Sequence, residues 1–247
     1  DKRYDKILQN AEKFVRGLQI GADGKVDKSN PHFGGVGYGG REGADLSNTA
    51  YMIEALKALD ASDDDPAIQR AIAFITRCQN LQGAGNDTQF ADKVNDGGFY
   101  YAVPTESVDD ERSTENGGLR SYGSMTYHGF KSLVYAGLTK DDPRTKAALE
   151  WISKNYTLND NPGQGSAGLF YYYNTFGKAL EASQLAAVDD GTPNKRDWRK
   201  DLVATLAKRQ GEDGSWVNSN RQWFENDKNL CTSFALLALS HCKNPVD

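Results

Sequence analysis

The sequence predicts an all-α chain, an α/α toroid of antiparallel helical hairpins with inner and outer helix layers, and three observations carry that expectation. One is a repeat. Phe14-Val15 followed by Gln19, Phe74-Ile75 by Gln79, and Thr205-Leu206 by Gln210 share one spacing, with Trp151-Ile152 and Tyr156 as a degenerate copy. Self-similarity of this kind marks a stack of supersecondary units. Another is the alternation of amphipathic helices with helices that are apolar or small on most sides, the mark of a buried layer. The last is loop length, long after each outer helix and short after each inner one.

The first outer helix spans Tyr4 to Gln19, and a long loop from about Gly21 leads to Asp45. Thr49-Ala-Tyr51 then opens an inner helix that reaches Leu56. After a short turn, Asp65-Pro66 places a capping carboxylate before a proline at the first helical position. Ile68, Ala71, Ile72 and Ile75 form the apolar stripe of that second outer helix. The segment 81–120 is an insertion, expected to form a short hairpin over one rim. An inner helix starting near Tyr122 repeats the Thr-to-Leu interval from Thr126 to Leu133. Asp142-Pro143 starts the third outer helix, with Ala148 and Ile152 on one face, and Tyr171 to Leu185 supplies the third inner one. Asp197 starts the last outer helix, carrying Trp198, Leu202 and Leu206. Thr232-Ser-Phe234 leads to Leu239 in the last inner helix, in the spacing of Thr49-Ala-Tyr51 and Leu56.

Repetition throughout favours one toroid domain over 1–247. The chain opens directly in a helical pattern, which suggests a missing upstream segment, and four hairpins suggest either an open ring or a truncated one. Net charge is −5, from 34 acidic and 29 basic residues without a basic cluster, which argues against nucleic acid and anionic membrane as partners. No apolar run approaches the roughly 20 residues of a transmembrane helix. Cys231 and Cys242 lie on one helix about 16 Å apart and cannot pair, so the compartment and the oligomeric state stay open.

Gln210-Gly-Glu-Asp-Gly-Ser-Trp216 reads as one full copy of the QW motif, and with the repeated hairpins it resembles the terpenoid cyclase and protein prenyltransferase superfamily. Asp45-Leu-Ser-Asn-Thr49, Leu119-Arg-Ser-Tyr-Gly-Ser-Met-Thr126 and Asn95-Asp-Gly-Gly-Phe-Tyr100 are similar to bacterial proteins described as prenyltransferase and squalene oxidase repeat proteins. The resemblance implies an α/α toroid that handles isoprenoids as a transferase or a cyclising isomerase, squalene cyclases among them, with an isoprenoid or other small molecule in the central cavity. Its chemical motifs are incomplete here. Class II cyclases protonate an alkene with the middle acid of Asp-x-Asp-Asp-Thr-Ala, and Asp45-Leu-Ser47-Asn48-Thr-Ala50 keeps only the first acid. Prenyltransferases hold zinc with Asp-x-Cys and a distant His, whereas Asn229-Leu-Cys231 is the nearest match and His32, His128 and His241 are scattered. No metal and no cofactor is expected.

The long loops and the N-termini of the inner helices collect at one rim, where unpaired N–H groups favour an anion. Asp45 is therefore the candidate catalytic residue, and Arg120, Tyr122, Tyr127, Tyr172, Trp223 and Asp227 are the candidate substrate-binding residues. Plainer roles compete: Asp45 and Asp227 as helix caps, the tyrosines as core, Arg120 as a partner of Asp96, Asp109 or Glu111, and His128 as a hydrogen-bonded core histidine. The loop from Asp23 to Asn30 has calcium-like intervals but lacks the terminal glutamate and reads as a solvated turn. Two other functions compete with isoprenoid handling: a glycan-active or glycan-binding toroid, and a non-catalytic protein-interaction module.

Overall fold

A computed structural model describes residues 2–39, 43–105 and 111–243 of the chain. Asp5–Gly17 forms α1, Leu46–Ala58 α2, Pro66–Arg77 α3, Gly123–Tyr135 α4, Pro143–Lys154 α5, Leu169–Ala182 α6, Trp198–Arg209 α7 and Lys228–Ser240 α8. Among the described residues there is no strand, only isolated bridges. The chain is all-α.

The helices start where sequence chemistry tells them to. Asp65, Asp142, Asp197 and Asp227 each accept a backbone N–H of the following turn, and Pro66 and Pro143 occupy first helical positions where no N–H is needed. The even-numbered helices form one row: α4 packs on α2 and on α6, and α6 packs on α8. The odd-numbered helices flank that row, α3 against α2 and α4, α5 against α4, α7 against α6 and α8. One buried cluster joins them, from Leu46 and Ile53 on α2 through Phe130 and Leu133 on α4 and Phe176 on α6 to Ala235 on α8. By contrast α1 has no buried residue, and Tyr4, Ile7, Leu8, Phe14 and Leu18 are exposed.

The repeated glutamine has a definite job. Gln19 is buried and its Nε2 donates to Gly34 O and Ala67 O, both at 2.8 Å. Gln79 is buried likewise, and its Nε2 donates to Gly97 O and Arg144 O, both at 2.9 Å. Ala67 and Arg144 are equivalent first-turn residues of α3 and α5. One amide therefore ties the end of an outer helix to its own loop and to the start of the next outer helix. The loops come close enough only through glycine: a Cβ on Gly34, at φ +88°, would sit 1.9 Å from Arg70 O, and one on Gly97, at φ +83°, would sit 2.5 Å from Ala147 O. The Gln210 amide, after the last of these helices, donates to its own loop at Gly214 O, 2.8 Å away.

The repeated threonine is a second tether. Thr49, Thr126 and Thr232 accept through Oγ1 from Val36 N, Phe99 N and Trp216 N at 2.9–3.1 Å, each anchoring a long loop to its inner helix. The third hairpin departs on both counts, with Tyr156 in place of the glutamine and Leu169 at the start of α6.

Several expectations shift. Outer helix α1 ends at Gly17, not Gln19, because Gln19 turns away to make its tether. Helix α6 begins at Leu169, ahead of the expected Tyr171, behind Gly168, whose left-handed φ of 62° and missing side chain hide the cap. The hairpin expected over the rim within 81–120 is no strand pair but a turn closed by the Ser113–Leu119 bridge, and residues 106–110 lie outside the described residues. At three inner helices a first-turn donor is already taken. Leu46 N donates to Tyr101 O, Gly123 N to Pro162 O, and Tyr171 N to the Glu225 carboxylate, so each is capped by the long loop of the next hairpin.

Gln79→Ala removes two buried hydrogen bonds and leaves buried carbonyls exposed to nothing, so it is expected to cost about 2–4 kcal/mol. The exposed Gln210→Ala is expected to cost under about 1 kcal/mol. Urea denaturation of the two variants measures the difference.

Candidate functional site

The predicted residues divide between two places. Asp45 caps α2, and its carboxylate accepts from Asn48 N at 2.8 Å and Asn48 Nδ2 at 2.7 Å, so both oxygens serve the cap. Tyr122, at the cap position of α4 and half-buried, lies beside it: burial pushes the phenol well up, and Tyr101 and Asp45 push it further. Tyr127 and Tyr172 meet edge to face at 5.7 Å, but both are fully buried, on Phe176 of the core. They face no ligand surface as the chain stands. Trp223 is half-exposed at φ 54° and lies over Gly168 at the start of α6, while Asp227 caps α8. Arg120 is exposed on its loop. Its expected partner Asp96 instead accepts from Ser121 Oγ at 2.7 Å and Trp151 Nε1 at 3.1 Å, and Asp109 lies outside the described residues.

A different set converges on the row of inner helices. Four rings, one per inner helix, touch in succession: Tyr51 and His128 at 5.5 Å, His128 and Tyr171 at 5.4 Å, Tyr171 and Phe234 at 5.7 Å between centroids. These are edge-on and tilted contacts, the arrangement that ring quadrupoles favour. The hydroxyl of Tyr171 lies 2.6 Å from His128 Nε2 and 2.7 Å from Ser47 Oγ. Ser47 thereby ends a hydroxyl–hydroxyl–imidazole chain.

One turn further along α2 and α4, and two along α6, charges replace the rings. The Glu54 carboxylate contacts the ammonium groups of both Lys131 and Lys178, one with each oxygen. Lys131 is fully buried, and its Nζ lies 5.6 Å from the centroid of the Tyr51 ring. Burial and then the Lys178 charge both push Lys131 down from its ordinary value, and Glu54 is the group that opposes them. Beyond Lys178, His241 pairs with Glu181. Among the described residues no group of three or more His, Cys, Asp or Glu side chains is placed to hold a metal ion.

Glu225 was not foreseen. It is buried, accepts from Tyr171 N at 2.8 Å and from Asn218 Nδ2 at 2.7 Å, and so supplies the cap that Gly168 cannot. It thereby fixes the first turn of α6 and the position of Tyr171. Tyr51 and Phe234 had a signal, since each follows its tether threonine by two residues, as His128 follows Thr126. Glu54, Lys131 and Lys178 had none, being neighbours only through packing.

The chain matches no family model, no curated protein and no solved structure. A cleft of about 620 Å³ opens on the outer flank between the end of α5 and helix α7, and none of the seven predicted site residues lines it.

Burial, reinforced by Lys178, pushes His128 down from 6.5 to about 3. The unfolded chain therefore binds this proton more readily than the folded one, and stability is lost as pH falls below 6.5 toward about 3. One such group contributes a slope of up to about 1.4 kcal/mol per pH unit. Urea melts between pH 7 and 5 should show a steeper fall for the native chain than for His128→Asn.

Proposed function

We propose that the row of inner helices curves as the concave wall of an α/α toroid, and that this wall binds an isoprenoid bearing an anionic head. The carrying observation is the ladder Tyr51–His128–Tyr171–Phe234 running beside the Lys131–Glu54–Lys178 cluster. Ring faces and edges suit a polyene chain, which needs apolar contact without a fixed hydrogen-bond pattern. Lys178, partly exposed beside the Glu54 carboxylate, offers its ammonium to a diphosphate or carboxylate. The sequence resemblance points the same way. Proton-initiated cyclisation is not part of this reading, because Ser47 stands in the donor position. Ser47 and Tyr171 instead offer hydroxyls to a polar group near the head, and Glu225 holds Tyr171 in place.

Calorimetric titration with farnesyl diphosphate, farnesol and neutral oligosaccharides tests the proposal. The diphosphate is expected to bind at least tenfold more tightly than the alcohol, with the difference lost in Lys178→Gln and binding of both weakened in Tyr51→Ala. Lys178 and Tyr51 are both partly exposed, so neither change empties the core. Binding of oligosaccharides alone would sink the isoprenoid reading.

A further inference from the structure

We infer that the cleft between α5 and α7 is a second binding site, one for a small anionic sugar. It exists because the tether fails there. At the two preceding junctions a buried glutamine closes the gap between successive outer helices, whereas here Tyr156 stands in the glutamine's position. Its hydroxyl donates to Asp201 Oδ2 at 2.9 Å, and Arg196 lies over its ring at 5.4 Å while binding the same carboxylate at 2.9 Å. The junction is left open by about 620 Å³, room for a mono- or disaccharide.

The wall is preformed. Tyr172 and Tyr173, both buried, donate to Thr157 O at 2.8 Å and Leu158 O at 2.7 Å, pinning the loop that lines one side. Helix α7 supplies the other side with Ala204, Thr205, Lys208 and Arg209. Charge then selects the ligand. Arg196 is shared by Asp201 at 2.9 Å and by Asp190, also on the cleft wall, at 3.9 Å, whereas Lys208 and Arg209 have no carboxylate partner among the described residues, so the lining carries three basic side chains against two acidic ones. Arg209 is held in place, donating to Asn159 O at 2.9 Å with its guanidinium 5.9 Å from the Tyr173 ring centroid. Arg209, held in place, and Lys208 one residue before it, beside Thr157, Asn159 and Thr205, match a phosphate or carboxylate on a hydroxyl-rich body. A helix C-terminus alone also favours basic residues, but it does not leave a walled cavity in front of them.

The full chain is titrated with galactose 1-phosphate, galacturonate, galactose and inorganic phosphate, read by calorimetry and by chemical-shift changes. Both anionic sugars are expected to bind, galactose and inorganic phosphate at least tenfold more weakly, and the stronger of the two anionic sugars identifies the head group. The double variant Lys208→Gln, Arg209→Gln is expected to lose at least tenfold in affinity. Ala204→Trp, which fills the cleft from an exposed position without changing charge, is expected to abolish binding. Circular dichroism confirms that each variant is folded. The proposal is overturned if no anionic sugar binds, if Ala204→Trp binds as the native chain does, or if Lys178→Gln removes the binding, which would place the anion on the inner face.

Discussion

The buried glutamine amides at the first two junctions between hairpins, Gln19 and Gln79, are the interaction on which the architecture depends. Gln19 and Gln79 each satisfy two carbonyls that would otherwise face a dry junction, one in their own loop and one in the next outer helix. A hydrophobic contact could bring the same helices together but would not set their register. The amide does both, and it requires the glycines at 34 and 97 to let the backbones meet. Everything placed by the inner row, the ring ladder included, inherits its spacing from those junctions. The third junction shows the converse, since a tyrosine in the same position leaves a cleft.

The charged groups of the inner row make sense only together. A lysine as buried as Lys131 would give up its proton in isolation, and Glu54 opposes that tendency while also engaging Lys178. His128 takes the other course and stays neutral, tied through Nε2 to Tyr171, with Nδ1 lacking a hydrogen-bond partner among the described residues. An unpaired N–H is costlier to bury than an unpaired lone pair, which favours the proton on Nε2, donated to Tyr171 and passed on to Ser47. The Ser47 hydroxyl is then the end of the chain with a proton to offer.

Much of the fold was legible because it is local. The Asp-Pro caps, the glutamine spacing and the threonine two residues before Tyr51, His128 and Phe234 are each decided within a few residues. The start of α6 was not legible, because its cap is Glu225, more than fifty residues downstream of Tyr171. The same holds for the site. Asp45 and Tyr122 stood out as residues at helix starts, and of the two roles weighed for Asp45 the structure carries the cap, with Asn48 on both carboxylate oxygens. Tyr127 and Tyr172 look alike in sequence to Tyr51 and Tyr171, and only the packing of α4 on α6 sorts buried rings from the ladder.

Because each hairpin is fastened chiefly to its neighbours, the molecule behaves as a short linear chain of coupled units with unequal links. Helix α1 is the weakest link, with no buried residue of its own and held by the Gln19 amide and by Arg16, which binds Asp65 at 2.8 Å. Its amide protons should exchange through opening of that one unit, at a fraction of the free energy that protects α4 and α6 in the middle of the row. Unfolding then has a direction, peeling from the end that carries α1 toward the interior.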